Sequence, residues 1–182
     1  VVEGMGRSDI TNMIGHNYRL GEIESAIGIE QLKKLKYFIS SKQISANRLS
    51  EGLKELEGIT TPFIRDHATH VYYVYPLLLD ENLIGVSRKR IFQALKAEGI
   101  PGLFINYGNL HLLPMYQRKI AYGSKGFPWT IANRPISYEK GICPVAEQYT
   151  SNDFIGLNMC LFDYDDEEID LIIESFKKVW SQ

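Results

Sequence analysis

From Leu20 the apolar positions fall at Leu20, Ile23, Ala26 and Ile27, then at Leu32, Leu35, Phe38 and Ile39. This alternation of three and four residues lies on one face of an α-helix. Glu22, Glu24, Gln31, Lys33 and Lys34 fill the opposite face, and Glu30 stands four before Lys34 in the favourable order. A second run, Ile44, Leu49, Leu53 and Leu56, follows Ser40-Ser41, and Gly58 is positioned to end it. The pattern predicts a long helix, or two with a bend near Ser40, over roughly residues 21–56. Residues 71–79, VYYVYPLLL, are β-branched and aromatic without helical period and predict a strand, where Pro76 argues for an edge position or a bulge. Ser87 opens a helix with Ile91, Phe92 and Leu95 on one face, closed by Gly99 and Pro101. Short strands are predicted at 102–106 and at 154–162, FIGLNMCLF. Asp165, Asp166, Glu167 and Glu168 start a terminal helix whose inner face is Ile169, Ile172, Ile173, Phe176, Val179 and Trp180. The expected class is α+β: a small, mainly antiparallel sheet of three or four strands covered by helices and preceded by the long helix.

Residues 110–149 break this regularity. They are rich in aromatic side chains, glycine and proline, with weak periodicity, and a long irregular stretch inside a compact chain marks a functional loop, a lid or a subunit contact. The whole chain has 182 residues, with 20 basic and 22 acidic side chains and a net charge of -2, which argues against broad nucleic-acid binding. Hydrophobic residues at 45% and charged residues at 23% describe a globular chain rather than a disordered one. No apolar run has membrane-span length and no signal segment is visible, so a soluble, cytoplasmic protein is expected. Cys143 and Cys160 are expected as reduced, packed thiols. The spacing of His16, His67, His70 and His111 suits no metal, and no metal is expected. The opening Val1-Val2-Glu3 reads as the tail of a connection, so a fragment of a longer protein is expected.

Chemistry concentrates in two places. Asn17, Tyr18 and Arg19, within Gly15-His16-Asn17-Tyr18-Arg19-Leu20, offer an amide, a phenol and a guanidinium just before a helix, a set suited to phosphate or carboxylate. The same residues also read as a plain helix start, with Asn17 capping and Arg19 solvated. Further on, Tyr107, His111 and Tyr116 follow a strand end and suit sugar binding or acid–base work, or else His111 is a satisfied structural residue. His67 and His70 admit the same two readings. Lys125 in Gly123-Ser124-Lys125-Gly126 lacks the order of a phosphate loop and reads as a turn. No nucleophile elbow, dinucleotide fingerprint or paired-carboxylate arrangement is present.

Read together, Gly15-His16-Asn17-Tyr18-Arg19-Leu20, Glu22-Ile23-Glu24-Ser25-Ala26-Ile27-Gly28, then Gln31-Leu32 and Leu35, resemble the G-x-N-Y-R-[ML]-x-E-[IL]-x-A-A-I-G-x-x-Q-L-x-x-L block of the DegT/DnrJ/StrS-type, pyridoxal-phosphate-dependent sugar aminotransferases. His70-Val71-Tyr72-Tyr73-Val74-Tyr75 and Leu95-Lys96-Ala97-Glu98-Gly99-Ile100 are similar to later blocks of that family. So are Asn109-Leu110-His111-Leu112-Leu113-Pro114-Met115-Tyr116, matching L-H-x-x-P-x-Y, and Cys143-Pro144-Val145-Ala146-Glu147, matching P-x-[AT]-E. The stretch after Tyr116, around Gly126-Phe127-Pro128-Trp129, departs from the commoner pattern as an insertion would, which leaves the substrate sugar open.

The resemblance implies the small C-terminal domain of a fold-type I pyridoxal-phosphate transferase at residues 21–182, preceded by a segment, 1–20, of a missing N-terminal cofactor domain. It implies no catalytic residue here, because the Schiff-base lysine belongs to that domain. Asn17 and Arg19 become expected contacts of pyridoxal 5'-phosphate, Asn17 reaching the cofactor phosphate of a neighbouring subunit. Tyr18, Tyr107 and His111 become expected substrate contacts. The implied activity is transfer of an amino group from glutamate or glutamine to a keto-sugar nucleotide in surface-polysaccharide, lipopolysaccharide or glycan biosynthesis, by a cytoplasmic homodimer with shared active sites. The alternatives are a sugar dehydratase, which carries histidine in place of the lysine, and a non-catalytic nucleotide-sugar-binding or interaction module.

Overall fold

In chain order the elements are α1 (Glu22–Leu53), β1 (Ile59–Thr60), β2 (Tyr75–Leu79), α2 (Glu81–Ile84), α3 (Arg88–Ala97), β3 (Leu103–Phe104), α4 (Pro114–Arg118), α5 (Pro144–Gln148), β4 (Phe154–Leu157) and α6 (Asp166–Trp180). Single 3-10 turns occupy Leu110–Leu112 and Trp129–Ile131, and a π turn, Tyr149–Asp153, leads into β4. The computed structural model describes residues 18–182, so Asn17 lies outside the described residues. Two compact units form: one is Leu20–Ile105 with Ser151–Gln182, and the other is Asn106–Thr150, to which Tyr18 and Arg19 also belong.

The first unit is the expected α+β layer. Its sheet runs β1-β2-β4-β3, antiparallel throughout, with Tyr75 opposite Leu157 and Leu77 opposite Ile155. Tyr75, Leu77, Leu79, Ile155 and Leu157 are buried, together with Leu49 and Leu53 of α1, Ile91 and Leu95 of α3, and Ile169, Ile172, Ile173 and Phe176 of α6. Each fully buried aliphatic or aromatic side chain contributes about 1.5–3 kcal/mol. The start of α6 is specified locally: the Asp165 carboxylate accepts the Glu168 N–H at 2.8 Å, and the Glu168 side chain accepts the Asp165 N–H at 2.9 Å. Two close approaches require glycine. A Cβ on Gly52 would sit 2.5 Å from Ile173 Cδ1 where α1 meets α6, and one on Gly156 would sit 2.5 Å from the Phe104 ring that covers it.

Several expectations change. The long helix is continuous over its 32 residues with no bend at Ser40, and it ends at Leu53, before Gly58. Its apolar face is real, but only Ser45, Ala46, Leu49 and Leu53 are buried, whereas Leu20 is 75%, Ile23 76% and Leu32 68% exposed. Periodicity marks a face capable of packing and does not name what packs on it. The strand expected over 71–79 begins only at Tyr75, because Tyr72 takes a left-handed φ of 51° and its N–H turns back to His70 Nδ1 at 2.9 Å. That bond also settles His70 as a satisfied loop histidine.

Pro76 lies on an interior strand rather than an edge. It is tolerated there because β1 pairs only with Leu78 and Leu79, leaving β2 with one neighbour at Pro76. The strand expected over 154–162 stops at Leu157; Asn158 then starts a turn in which its side chain accepts the Leu161 N–H at 3.3 Å. Cys143 and Cys160 are exposed rather than packed, since one caps the start of α5 and the other lies in the turn after β4.

Arg88 is the buried charge of this unit. Its guanidinium donates to the carbonyls of Phe154 at 3.0 Å, Ile105 at 3.4 Å and Ser151, and its N–H is taken by Glu81. Burial lowers its pKa, opposed by the charges of Glu81 and Asp153. Ile105 and Ser151 are where the chain leaves for residues 106–150 and where it returns. One side chain thus holds both ends of that excursion.

Candidate functional site

Residues 106–150 close on themselves through polar side chains. Asn109 Nδ2 donates to Thr150 Oγ1 at 2.7 Å, and Thr150 in turn donates to the Ala146 carbonyl at 2.9 Å. The 3-10 turn at Leu110–Leu112 presents His111, and Pro114, whose fixed φ suits a first helical position, starts α4 just after it. Gln117 on α4 donates to the carbonyls of His111 and Tyr138. Tyr116 packs edge-on against Trp129, with ring centres 6.3 Å apart, and lies 5.1 Å from the Tyr138 ring; Trp129 Nε1 donates to the Tyr138 hydroxyl at 2.9 Å. These aromatic contacts replace an aliphatic core.

The centre of the network is Glu147 on α5. Its carboxylate takes His111 Nε2 at 2.8 Å, the Gly141 N–H at 2.8 and 2.9 Å, and the Cys143 N–H at 3.3 Å. Burial acts to raise its pKa, but the hydrogen bonds from Gly141, His111 and Cys143 and the charge of His111 outweigh burial and hold it below the usual carboxylate range. With Glu147 ionised, Nε2 of His111 is the donor of their hydrogen bond, which leaves Nδ1 as the other polar atom of the ring. Nδ1 has no partner among the described residues. The pair is an oriented imidazole with one nitrogen available for a ligand or a proton.

Among the residues singled out from the sequence, His111 is paired and mostly shielded, while Tyr107 and Tyr18 are exposed. Tyr18 and Arg19 belong to the same compact unit as Tyr107 and His111 although they stand far apart in sequence. His67 is exposed in a loop at a left-handed φ of 62°, and Lys125 lies in a turn, as expected. Glu147, Gln117 and the Trp129–Tyr138 pair carry no sequence signal of their role in this network. The Pro-x-x-Glu start of α5 marks Glu147 itself, but its partner lies 36 positions away. Among the described residues no cluster of His, Cys, Asp or Glu is arranged to hold a metal, and no helix is long and apolar enough to cross a membrane.

Residues 2–153 match the DegT/DnrJ/EryC1/StrS aminotransferase family. An uncharacterized protein of Methanocaldococcus jannaschii is 32% identical over 144 residues, which is 79% of this chain and 36% of that protein. The spore coat polysaccharide biosynthesis protein SpsC of Bacillus subtilis is 30% identical, over 63% of this chain and 29% of its own length. The UDP-4-amino-4,6-dideoxy-N-acetyl-beta-L-altrosamine transaminase of Helicobacter pylori is 29% identical, over 59% of this chain and 27% of the transaminase. In fold, the chain is similar to DesV of S. venezuelae, solved with a ketimine intermediate, with a TM-score of 0.68 at 19% identity over 92% of this chain and 38% of that one. The match thus spans about a third of these relatives or less.

Proposed function

This chain belongs to the DegT/DnrJ/EryC1/StrS aminotransferase family, and from that membership we propose that it is the C-terminal part of an enzyme transferring an amino group from glutamate or glutamine to a keto-sugar nucleotide. Residues 1–20 then belong with a preceding cofactor domain and 21–182 form the small domain, within which Asn106–Thr150 is a compact unit of its own. The transaminase named above supports a nucleotide-sugar substrate, and the spore-coat relative supports a place in polysaccharide biosynthesis. A cytoplasmic homodimer is part of the same reading, supported by the exposed apolar face along the first half of α1.

Pyridoxal 5'-phosphate, when bound, supplies the electron sink that lets an amino group move. The resemblance assigns residues of this chain to its phosphate side, and no described lysine suits its covalent anchor. A lysine serving as anchor needs a desolvated pocket to lower its pKa, yet every described lysine is exposed except Lys42, and that one is held by Asp163 at 3.0 Å and the Phe162 carbonyl at 2.8 Å. Asn17 and Arg19 are assigned to the phosphate, Asn17 from across the dimer, and Tyr18, Tyr107 and His111 to the substrate. Glu147 orients His111 and keeps its Nε2 proton in place, so Nδ1 is the atom that accepts from the sugar or shuttles a proton.

The observation carrying this reading is the family match over residues 2–153. Its test is Asn17→Ala in the intact enzyme. Loss of one hydrogen bond to a charged phosphate, worth about 1.5–3 kcal/mol, lowers cofactor affinity roughly ten- to a hundredfold. A plain helix cap would instead cost about 1 kcal/mol of stability and leave cofactor affinity unchanged, and that result would overturn the assignment.

A further inference from the structure

We propose that the cavity between the end of α4 and the Trp129–Ile131 turn binds a phosphate-bearing anion. The cavity measures about 380 Å³, inside the range small-ligand sites occupy. Arg118 and Lys119 line it from the end of α4, Arg134 from a later segment, and Ser124, Thr130 and Trp129 from the turns between, with no carboxylate among the lining residues. In the other compact unit Arg48 pairs with Asp166 and Asp170, Lys178 with Glu98, and Lys42 with Asp163. Among the described residues Arg118, Lys119 and Arg134 form no ion pair.

Cations in the last turn of a helix complement its dipole, which accounts for Arg118 and Lys119. It does not account for Arg134, which lines the cavity from a later segment. Three like charges around one concavity repel one another, and a multivalent anion relieves that repulsion. Guanidinium groups bind phosphate oxygens through paired N–H donors, and the hydroxyls of Ser124 and Thr130 add neutral donors. The indole N–H of Trp129 is committed to Tyr138, so this residue offers only an apolar wall suited to a base or sugar face. Two sources supply such an anion: the diphosphate of a nucleotide sugar, in which case the inference rests on the reading above, or a free phosphorylated ligand.

The test is calorimetric titration of the chain, at low ionic strength, with uridine diphosphate, inorganic pyrophosphate and uridine. The two phosphorylated probes bind and uridine does not. The double variant Arg118→Gln/Arg134→Gln weakens both by roughly tenfold or more. Arg118→Lys/Arg134→Lys, which keeps the charges, retains more affinity than the glutamine pair. Circular dichroism verifies folding of each variant, and Arg134→Gln alone serves if the double variant does not fold. Tighter binding of uridine diphosphate than of pyrophosphate assigns the site to a nucleotide diphosphate, and the reverse order assigns it to a free phosphorylated ligand. Failure of both phosphorylated probes to bind, or equal binding to the glutamine variants, overturns the proposal. The readout needs neither cofactor nor amino transfer, so it fails or succeeds separately from the enzymatic reading.

Discussion

Leu20–Ile105 with Ser151–Gln182 packs the side chains of α1, α3 and α6 against one face of an antiparallel sheet, whereas residues 106–150 bury only Ala121 and Glu147. Charge divides the same way. Residues 106–150 carry Arg118, Lys119, Lys125, Arg134 and Lys140 against Glu139 and Glu147, while the chain as a whole has net charge -2. Hydrophobic burial is non-directional and tolerates many side chains of suitable volume. A network of directed hydrogen bonds and aromatic edges tolerates few changes but leaves polar groups near the surface, where a ligand can reach them. The comparison assigns stability to the first unit and chemistry to the second, and substitutions in each should separate the two properties.

The largest expected effect is at Arg88, whose removal leaves the carbonyls of Ile105, Ser151 and Phe154 without its guanidinium. Arg88→Met should cost about 3 kcal/mol or more in thermal or denaturant unfolding. A loss well under 1 kcal/mol would break the picture of a clamp at both ends of the 106–150 excursion. Next is Gly52→Ala, which drives a methyl group into Ile173 where α1 and α6 touch. The expected cost is about 1–3 kcal/mol, or roughly 2–4 °C in Tm per kcal/mol for a chain of this size, and pairing it with Ile173→Ala should recover part of the loss.

The first unit was legible where local signals suffice. The Asp165 cap and the spacing of Ile169, Ile172, Ile173 and Phe176 specify α6 without help from the rest of the chain. They failed where a distant or special contact decides. The β-branched run at 71–74 is denied strand pairing by the left-handed backbone at Tyr72, and β1, two residues long, has no pattern to detect. The apolar face of α1 was visible, but its burial depends on partners that periodicity does not describe. In the second unit His111 stood out as a candidate, yet its orientation depends on Glu147, and no spacing rule links side chains across an irregular loop. The cations of the cavity were equally hidden, since they gather from separate turns.

Smaller effects on stability, with larger ones on function, are expected at Glu147. In the intact enzyme Glu147→Gln keeps the shape but loses the charge that orients His111, and kcat/KM should fall roughly tenfold, the worth of one such hydrogen bond. The pH profile should shift with it, which a purely structural role would not produce. The smallest effect is acid-linked. Because the folded-state pKa of Glu147 is lowered, its contribution is present above the ordinary carboxylate range and is lost as pH falls through the lowered value. Amide exchange at Gly141 and Cys143 should therefore quicken in acid before the sheet amides respond, and simultaneous loss of both would argue that the units are one cooperative body.

The central claim is that the Asn17 motif completes an active site whose covalent anchor lies on another subunit. Mixing intact-length Asn17→Ala subunits with subunits whose anchoring lysine is replaced tests it most directly, with amino transfer to a keto-sugar nucleotide measured at limiting cofactor. A site shared between chains gives each mixed dimer one undamaged site, so activity should return on mixing to about a quarter of the wild-type level for random pairing of a twofold dimer. No recovery above the sum of the two parents, with mixed dimers demonstrably formed, would contradict the shared site.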